Sequence, residues 1–212
     1  MHRTAITPIT PAALADRVVG LVVQRPGRRV RVVLDGAPPT RPAELAAAVV
    51  ASLRVQGRDA LVVDAGDYLR PASVRLEHGH TDADMFLDGW LDEGGLRREV
   101  LDPAAPGRSG RVLPRLWDAA RDRAHRDRYR ELPADGVVVL AGALLLGRGL
   151  PVDLAVHLRM SPAALARHLP AEDHWQLAAF ARYETERHPG DEADVLVLAD
   201  HPHRPAMRMI EG

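Results

Sequence analysis

The sequence predicts an α/β fold built on a mainly parallel central sheet. Two observations predict it. Five short apolar runs recur along the 212 residues: Val30–Leu34, Asp59–Val63, Val137–Leu140, Leu154–Leu158 and Val195–Leu198. They are nearly continuous rather than alternating, as strands buried on both faces must be. Helical patterns separate them, and strands alternating with helices build a parallel sheet with ligands at the strand carboxyl ends.

The elements follow in order. Pro11 begins an N-terminal helix with apolar residues at Leu14, Val18, Val19, Leu21 and Val22. Arg25-Pro26-Gly27 ends it, because proline disfavours helix in the residue before it. After the first strand, Asp35 to Thr40 reads as a loop, and Pro42 opens an Ala-rich helix to about Arg54. Proline suits that first helical position because its amide would have no intrahelical partner. The second strand leads into a loop, Asp64–Pro71, and Met85–Leu101 reads as a helix weakened at Gly94-Gly95. Pro103–Gly110 is a Pro/Gly loop; Val112–Trp117 and Tyr129–Leu132 suit either irregular chain or short strands. Ser161-Pro162 caps and starts a helix after the fourth strand, and Ala171–Arg187 forms another, ending at His188-Pro189-Gly190. With no repeat, low-complexity tail or interdomain linker, residues 1–212 read as one domain.

Composition excludes several chemistries. All 28 basic residues are arginine; lysine, cysteine and asparagine are absent. Lysine Schiff bases, thiolate nucleophiles, disulfides and cysteine zinc sites are therefore excluded. A formal net charge of -1 argues against a general nucleic-acid or membrane-surface binder. The longest apolar runs, such as Leu140–Leu146, are far short of the ~20 residues of a membrane span. Met1–Thr10 has no apolar signal core, so a cytoplasmic protein is expected. Aromatic content is 4%, so the core must come from Val, Leu and Ala.

The leading functional segment runs from Val32-Val33-Leu34-Asp35-Gly36 into Ala37-Pro38-Pro39-Thr40-Arg41-Pro42-Ala43-Glu44-Leu45. A phosphate-binding loop, G-x-x-x-x-G-K-[ST], would sit between such a strand and helix. Gly36 holds the first glycine place; Arg41, Pro42 and Ala43 hold the other three signature places.

With these residues the chain resembles the uridine kinase branch of the P-loop NTPases. Tyr68-Leu69-Arg70-Pro71 is similar to that family's aromatic-x-Arg-Pro segment after the second strand, and Leu113-Pro114-Arg115-Leu116-Trp117-Asp118 to its Pro-x-x-aromatic-Asp substrate segment. Val138-Val139-Leu140-Ala141-Gly142 resembles its strand ending in acid-Gly, and Ala193-Asp194-Val195-Leu196-Val197 its last strand. The resemblance covers most of Val30–Met209 and rests on the order and spacing of these segments. It implies a P-loop NTPase-like three-layer α/β/α sandwich with a mainly parallel central sheet, and ATP and Mg²⁺ as cofactors. It places Gly36, Thr40 and Arg41 at the phosphates, and Tyr68, Arg70, Trp117 and Asp118 at a nucleoside. Residues 103–132 become an Arg-rich insertion resembling a substrate lid.

Departures from the family pattern are concentrated at its chemistry. Pro38, Pro39 and Pro42 lack the N–H that a phosphate cradle uses. Pro42 stands at the lysine place and Ala43 at the Mg²⁺-holding hydroxyl place. The family's base aspartate aligns with Gly66, leaving Asp67 one place late and Asp64 two early; Ala141 replaces the acid before Gly142. The expectation is an impaired or inactive kinase homologue that keeps a nucleoside- or nucleotide-sized cleft. The alternatives are an active phosphotransferase, with Arg41 on phosphate and Asp67 or Asp64 as base, and a dimeric scaffold.

Other candidates read as structural. His78-Gly79-His80-Thr81-Asp82 lacks the i, i+4 spacing of a helical metal pair and suits a solvated loop, so no metal ligands are assigned. Arg108–Glu131 carries eight arginines against Asp118, Asp122, Asp127 and Glu131, which suits an arm or lid better than a nucleic-acid surface. Arg159 and Arg167 flank the Ser161-Pro162 helix start, where related kinases carry lid arginines; helix-face charge explains them equally well. None of the four serines lies in a G-x-S-x-G setting.

Overall fold

The computed structural model describes residues 6–210. Part of the stretch read for a signal core, residues 1–5, lies outside the described residues. In chain order the strands are Thr7–Pro8 (β1), Val30–Gly36 (β2), Ala60–Asp64 (β3), Arg111–Val112 (β4), Trp117–Asp118 (β5), Arg123–Ala124 (β6), Arg130–Glu131 (β7), Val137–Gly142 (β8), Leu154–Arg159 (β9), Val195–Leu198 (β10) and Ala206–Met209 (β11). The α-helices are Pro11–Val23 (α1), Pro42–Val55 (α2), Ala72–Arg75 (α3), Ala83–Asp88 (α4), Glu93–Leu96 (α5), Pro162–His168 (α6), Leu177–Arg182 (α7) and Pro189–Glu192 (α8).

Seven strands form one sheet in the order β1-β11-β10-β9-β2-β8-β3. β10, β9, β2, β8 and β3 run parallel, and these are the five strands the apolar runs predict. The edge differs from expectation: β11 lies antiparallel on β10, and β1 antiparallel on β11. β1 is two residues long and contains Pro8, which an edge strand tolerates because it needs no second ladder partner.

Side chains alternate across a strand, so each parallel strand feeds two cores. On one face, Val32, Leu34, Val137, Val139 and Val156 meet Val18 and Val22 of α1 and Val49 and Leu53 of α2. On the other, Val33, Val138, Leu140 and Ala155 meet Leu87, Leu96 and Phe180. The result is the expected three-layer α/β/α sandwich. Leu53 is fully buried, so cutting it to alanine costs about 2–5 kcal/mol. Among the described residues no helix is long and apolar enough to cross a membrane.

Two helix starts match their sequence signals. The Thr10 hydroxyl accepts from the Ala13 amide at 3.2 Å, ahead of Pro11. Ser161 Oγ accepts from the Ala164 amide and itself donates to Asp200 at 2.7 Å. The expected helix over Met85–Leu101 is broken, and not at Gly94-Gly95. α4 stops at Asp88, and Gly89–Leu91 leaves the helix to pair with the segment after β3. The Arg70 amide donates to Trp90 O at 2.8 Å, and the Asp92 amide to Tyr68 O at 2.7 Å. Asp92 then caps α5 through the Gly95 amide, and the chain passes into a π-turn over Arg97–Leu101. These two bonds to the neighbouring segment replace part of the helical bonding forgone. The helical stretch from Ala171 to Arg187 ends in a second π-turn, Tyr183–Arg187.

Candidate functional site

The site lies at the carboxyl ends of the parallel strands, as the topology requires. β2 runs two residues beyond the expected Leu34, so Asp35 and Gly36 belong to the strand. Pro38–Thr40 then forms a 3₁₀ turn, Arg41 takes a left-handed conformation (φ 59°), and Pro42 starts α2. Two amides of the loop are spent inside it: Thr40 N–H donates to Ala37 O at 2.8 Å, and Arg41 N–H to Pro38 O at 3.0 Å. The Thr40 hydroxyl also donates to Ala37 O, at 2.7 Å. A Cβ on Gly36 would lie 2.4 Å from Thr40 Oγ1 and 2.8 Å from Leu158 Cβ. Gly36 is required here by close packing of the loop on β9 rather than by an open concavity.

Beside this loop is a cleft of about 470 Å³, lined by Gly36, Arg41, Asp64, Gly66, Gly142 and Arg148 among others. Arg41 is half-exposed and its only ion pair among the described residues is with exposed Glu44 at 3.4 Å. The Asp64 carboxylate accepts from the Gly66 amide at 2.7 Å. The Arg148 side chain is buried, donates to Leu144 O at 2.5 Å, and also holds Glu93 and Leu87 O. It fixes the segment after β8 against α5. Phe86 and Trp90, edge to face at 5.1 Å, give the cleft an aromatic wall.

The structure thus brings Gly36, Arg41 and Asp64 together and places the other sequence candidates elsewhere. Thr40 is buried and turned onto its own loop. Tyr68 is fully buried and donates its hydroxyl to Leu113 O at 2.5 Å; burial raises its pKa further. The Arg70 carbonyl accepts from Arg75 Nε at 2.6 Å, anchoring α3. Trp117 and Asp118 sit on the arm: Trp117 Nε1 donates to Asp122 at 3.2 Å, and Asp118 takes the Arg121 guanidinium at 2.9 Å and two local amides. Asp67 meets the arm too, with Oδ1 3.0 Å from His125 Nε2. Burial raises the Asp67 carboxyl above the ordinary carboxylate range, and the His125 bond opposes that rise.

A polar group that sequence reasoning missed lies directly behind the loop. Asp35 of β2 and His157 of β9 are register partners, both buried. His157 Nδ1 is 2.7 Å from Asp35 Oδ2, and Nε2 is 2.9 Å from Glu184 Oε1. The Tyr183 hydroxyl donates to Asp35 at 2.9 Å and accepts from the Leu146 amide at 2.8 Å, while the Leu145 amide donates to Asp35 Oδ1 at 2.8 Å. Arg159 closes the chain on Glu184 at 3.2 Å. Burial works against a charged imidazole, but Asp35 and Glu184 outweigh it and push the His157 pKa up to about 9. The two amides reach their acceptors because Leu144 is left-handed (φ 62°), a strained conformation for a bulky residue. His157, Tyr183 and Glu184 border a smaller cavity of about 240 Å³ that shares Gly36 and Leu144 with the main cleft. A signal was present: an acid closing Val32–Asp35 and a histidine inside Ala155–Leu158 are buried polar residues in apolar strands.

Five parallel strands in this order, with a loop and helix after the central strand at the sheet's carboxyl edge, define the fold of the P-loop kinases. The chain is similar to the structure of a possible uridine kinase from Bacillus stearothermophilus, at TM-score 0.66 and 19% identity over 86% of this chain and 98% of that one. It is similar also to a protein named as a fructose transport system kinase from Silicibacter sp. TM1040 (TM-score 0.60, 27% identity, 87% and 95% coverage). A third similar structure is D-glycerate 3-kinase from Cryptococcus neoformans var. grubii (TM-score 0.58, 12% identity, 88% and 95%). No protein-family model and no curated protein matches the sequence.

Proposed function

We propose that the chain is a uridine or nucleoside kinase-like protein that keeps a ligand cleft but has weak or no ATP-dependent phosphoryl transfer. The observation that carries this reading is the internal bonding of Gly36–Ala43. A phosphate cradle needs consecutive N–H groups aimed into one concavity. Here three positions are proline, and the Thr40 and Arg41 amides serve the turn itself. The lysine and hydroxyl places hold Pro42 and Ala43, so charge and metal ligation are missing together. These residues do not fit the phosphates of Mg-ATP in the manner of a P-loop.

A ligand cleft is supported by its volume, which suits a nucleoside-sized molecule, and by its aromatic wall with a few convergent polar groups. In this reading residues 103–132 are a lid-like arm on a single domain. Isothermal titration with Mg-ATP tests the proposal: micromolar affinity with uridine-dependent ADP release overturns it. One observation favours a second reading. Arg41 reaches the cleft with only an exposed partner, and its guanidinium would grip an anion as a fork. That route predicts turnover abolished by Arg41→Ala and by Asp64→Asn.

A further inference from the structure

The arm carries a basin that the reading above does not use. It holds about 540 Å³ and is lined by Arg115, Arg121, Arg123, His125 and Arg126, with Asp118 as its one lining carboxylate. Two of these arginines are committed: Arg115 to Asp127 at 3.0 Å and Arg121 to Asp118 at 2.9 Å. Arg123 and Arg126 have no ion-pair partner among the described residues. Arg123 stands opposite Asp118 in the β5–β6 ladder, yet that carboxylate is taken by Arg121 and by the Ala120 and Arg121 amides.

The basin is held in place before any ligand arrives. Asp122 Oδ1 accepts from the Ala72 amide at 2.7 Å, tying the hairpin to the start of α3. Buried Arg75 donates to Ala119 O at 3.2 Å, and the Leu116 amide donates to Asp67 O at 3.1 Å. The backbone that carries Arg123 and Arg126 is thereby fixed, which lowers the cost of ordering the site on binding. At its inner side His125 touches Asp67.

We propose that this basin binds the phosphate of a small phosphomonoester, held chiefly by Arg123 and Arg126. Guanidinium forks match phosphate oxygens, and several converging forks suit a dianion better than a single carboxylate. The volume accommodates a sugar phosphate. A nucleic-acid track is disfavoured, because Asp118, Asp122, Asp127 and Glu131 interrupt the arm's charge and the chain's formal net charge is -1. The proposal is independent of the phosphate loop and of any kinase activity.

Isothermal titration of the full chain with inorganic phosphate, ribose 5-phosphate, ribose and a single-stranded oligonucleotide provides the test. The expected result is saturable ribose 5-phosphate binding, weaker phosphate binding and no ribose binding. Arg123→Ala/Arg126→Ala should weaken ribose 5-phosphate at least tenfold with an unchanged circular dichroism spectrum, and Arg17→Ala should bind as the parent does. Should the double variant lose structure, Arg126→Ala alone is read the same way. Equal binding in parent and variant, absence of binding, phosphate binding as tight as the sugar phosphate, or preference for the oligonucleotide each overturns the proposal.

Discussion

His157 Nδ1 lies 2.7 Å from Asp35 Oδ2, a buried bond that joins neighbouring strands β9 and β2 at the carboxyl edge of the sheet. Because Nε2 faces a second carboxylate, Glu184, both ring nitrogens act as donors and the ring is an imidazolium. An imidazolium thus sits between two carboxylates in the layer between the sheet and the π-turn at Tyr183.

Stability should depend on this charge in a defined direction. Its folded pKa of about 9 lies above the ordinary 6.5. The contribution is complete below the lower value and is lost as pH rises through the higher one. Urea unfolding at pH 7 and pH 10 should differ by roughly 2.5 kcal/mol, with the lower pH more stable. His157→Gln should flatten that difference; a parent protein equally stable at both values contradicts the ionisation assigned here.

Asp35 serves three partners, so its removal strands all of them. Asp35→Ala leaves a buried imidazolium facing one carboxylate and leaves the Leu145 amide and Tyr183 hydroxyl without an acceptor. Breaking such a buried pair costs about 3–5 kcal/mol. Chemical denaturation measures it, and a loss below ~1 kcal/mol, the scale of an ordinary solvated hydrogen bond, argues that the network is not holding this edge.

The packing above Gly36 predicts a coupled effect. Gly36→Ala meets Thr40 Oγ1 and the Leu158 backbone, and overpacking of this kind costs about 1–3 kcal/mol. In a Thr40→Ala background part of the clash is gone, so the same change should cost less. A double-mutant cycle reads the coupling directly; strict additivity refutes the close approach.

Arg41 is held left-handed, which costs a residue with a Cβ roughly 1–2 kcal/mol. Arg41→Gly should therefore unfold at higher urea concentration. Its ion pair with Glu44 is exposed and contributes little. Because the same variant removes the guanidinium that lines the cleft, it should bind anionic cleft ligands more weakly. A variant no more stable than the parent removes the strain argument.

The five parallel strands were legible because burial on both faces forces unbroken apolar runs, as in Val30–Leu34 and Val137–Leu140. The edge pair was not, because Thr7–Pro8 is too short to carry a pattern and Ala206–Met209 mixes Arg208 among its apolar residues. The break at Gly89–Leu91 was hidden for another reason: Leu91 leaves the helix only because Leu69, 22 positions earlier, offers a partner. Gly36, Arg41 and Asp64 could be read as a site from their place after strands. Asp35 and His157 stood out singly as polar residues in apolar strands, but their meeting with Glu184 could not be read, since the three lie 122 and 27 positions apart and meet only when β9 docks on β2.

The prolines of the loop between β2 and α2 have a thermodynamic consequence as well as a chemical one. Pro38, Pro39 and Pro42 fix three backbone torsions in the unfolded chain, so this segment has little freedom left to lose on folding. For the same reason it has little freedom to wrap around a guest. The floor of the cleft is finished when the protein folds, and selection among ligands falls to shape rather than to closure.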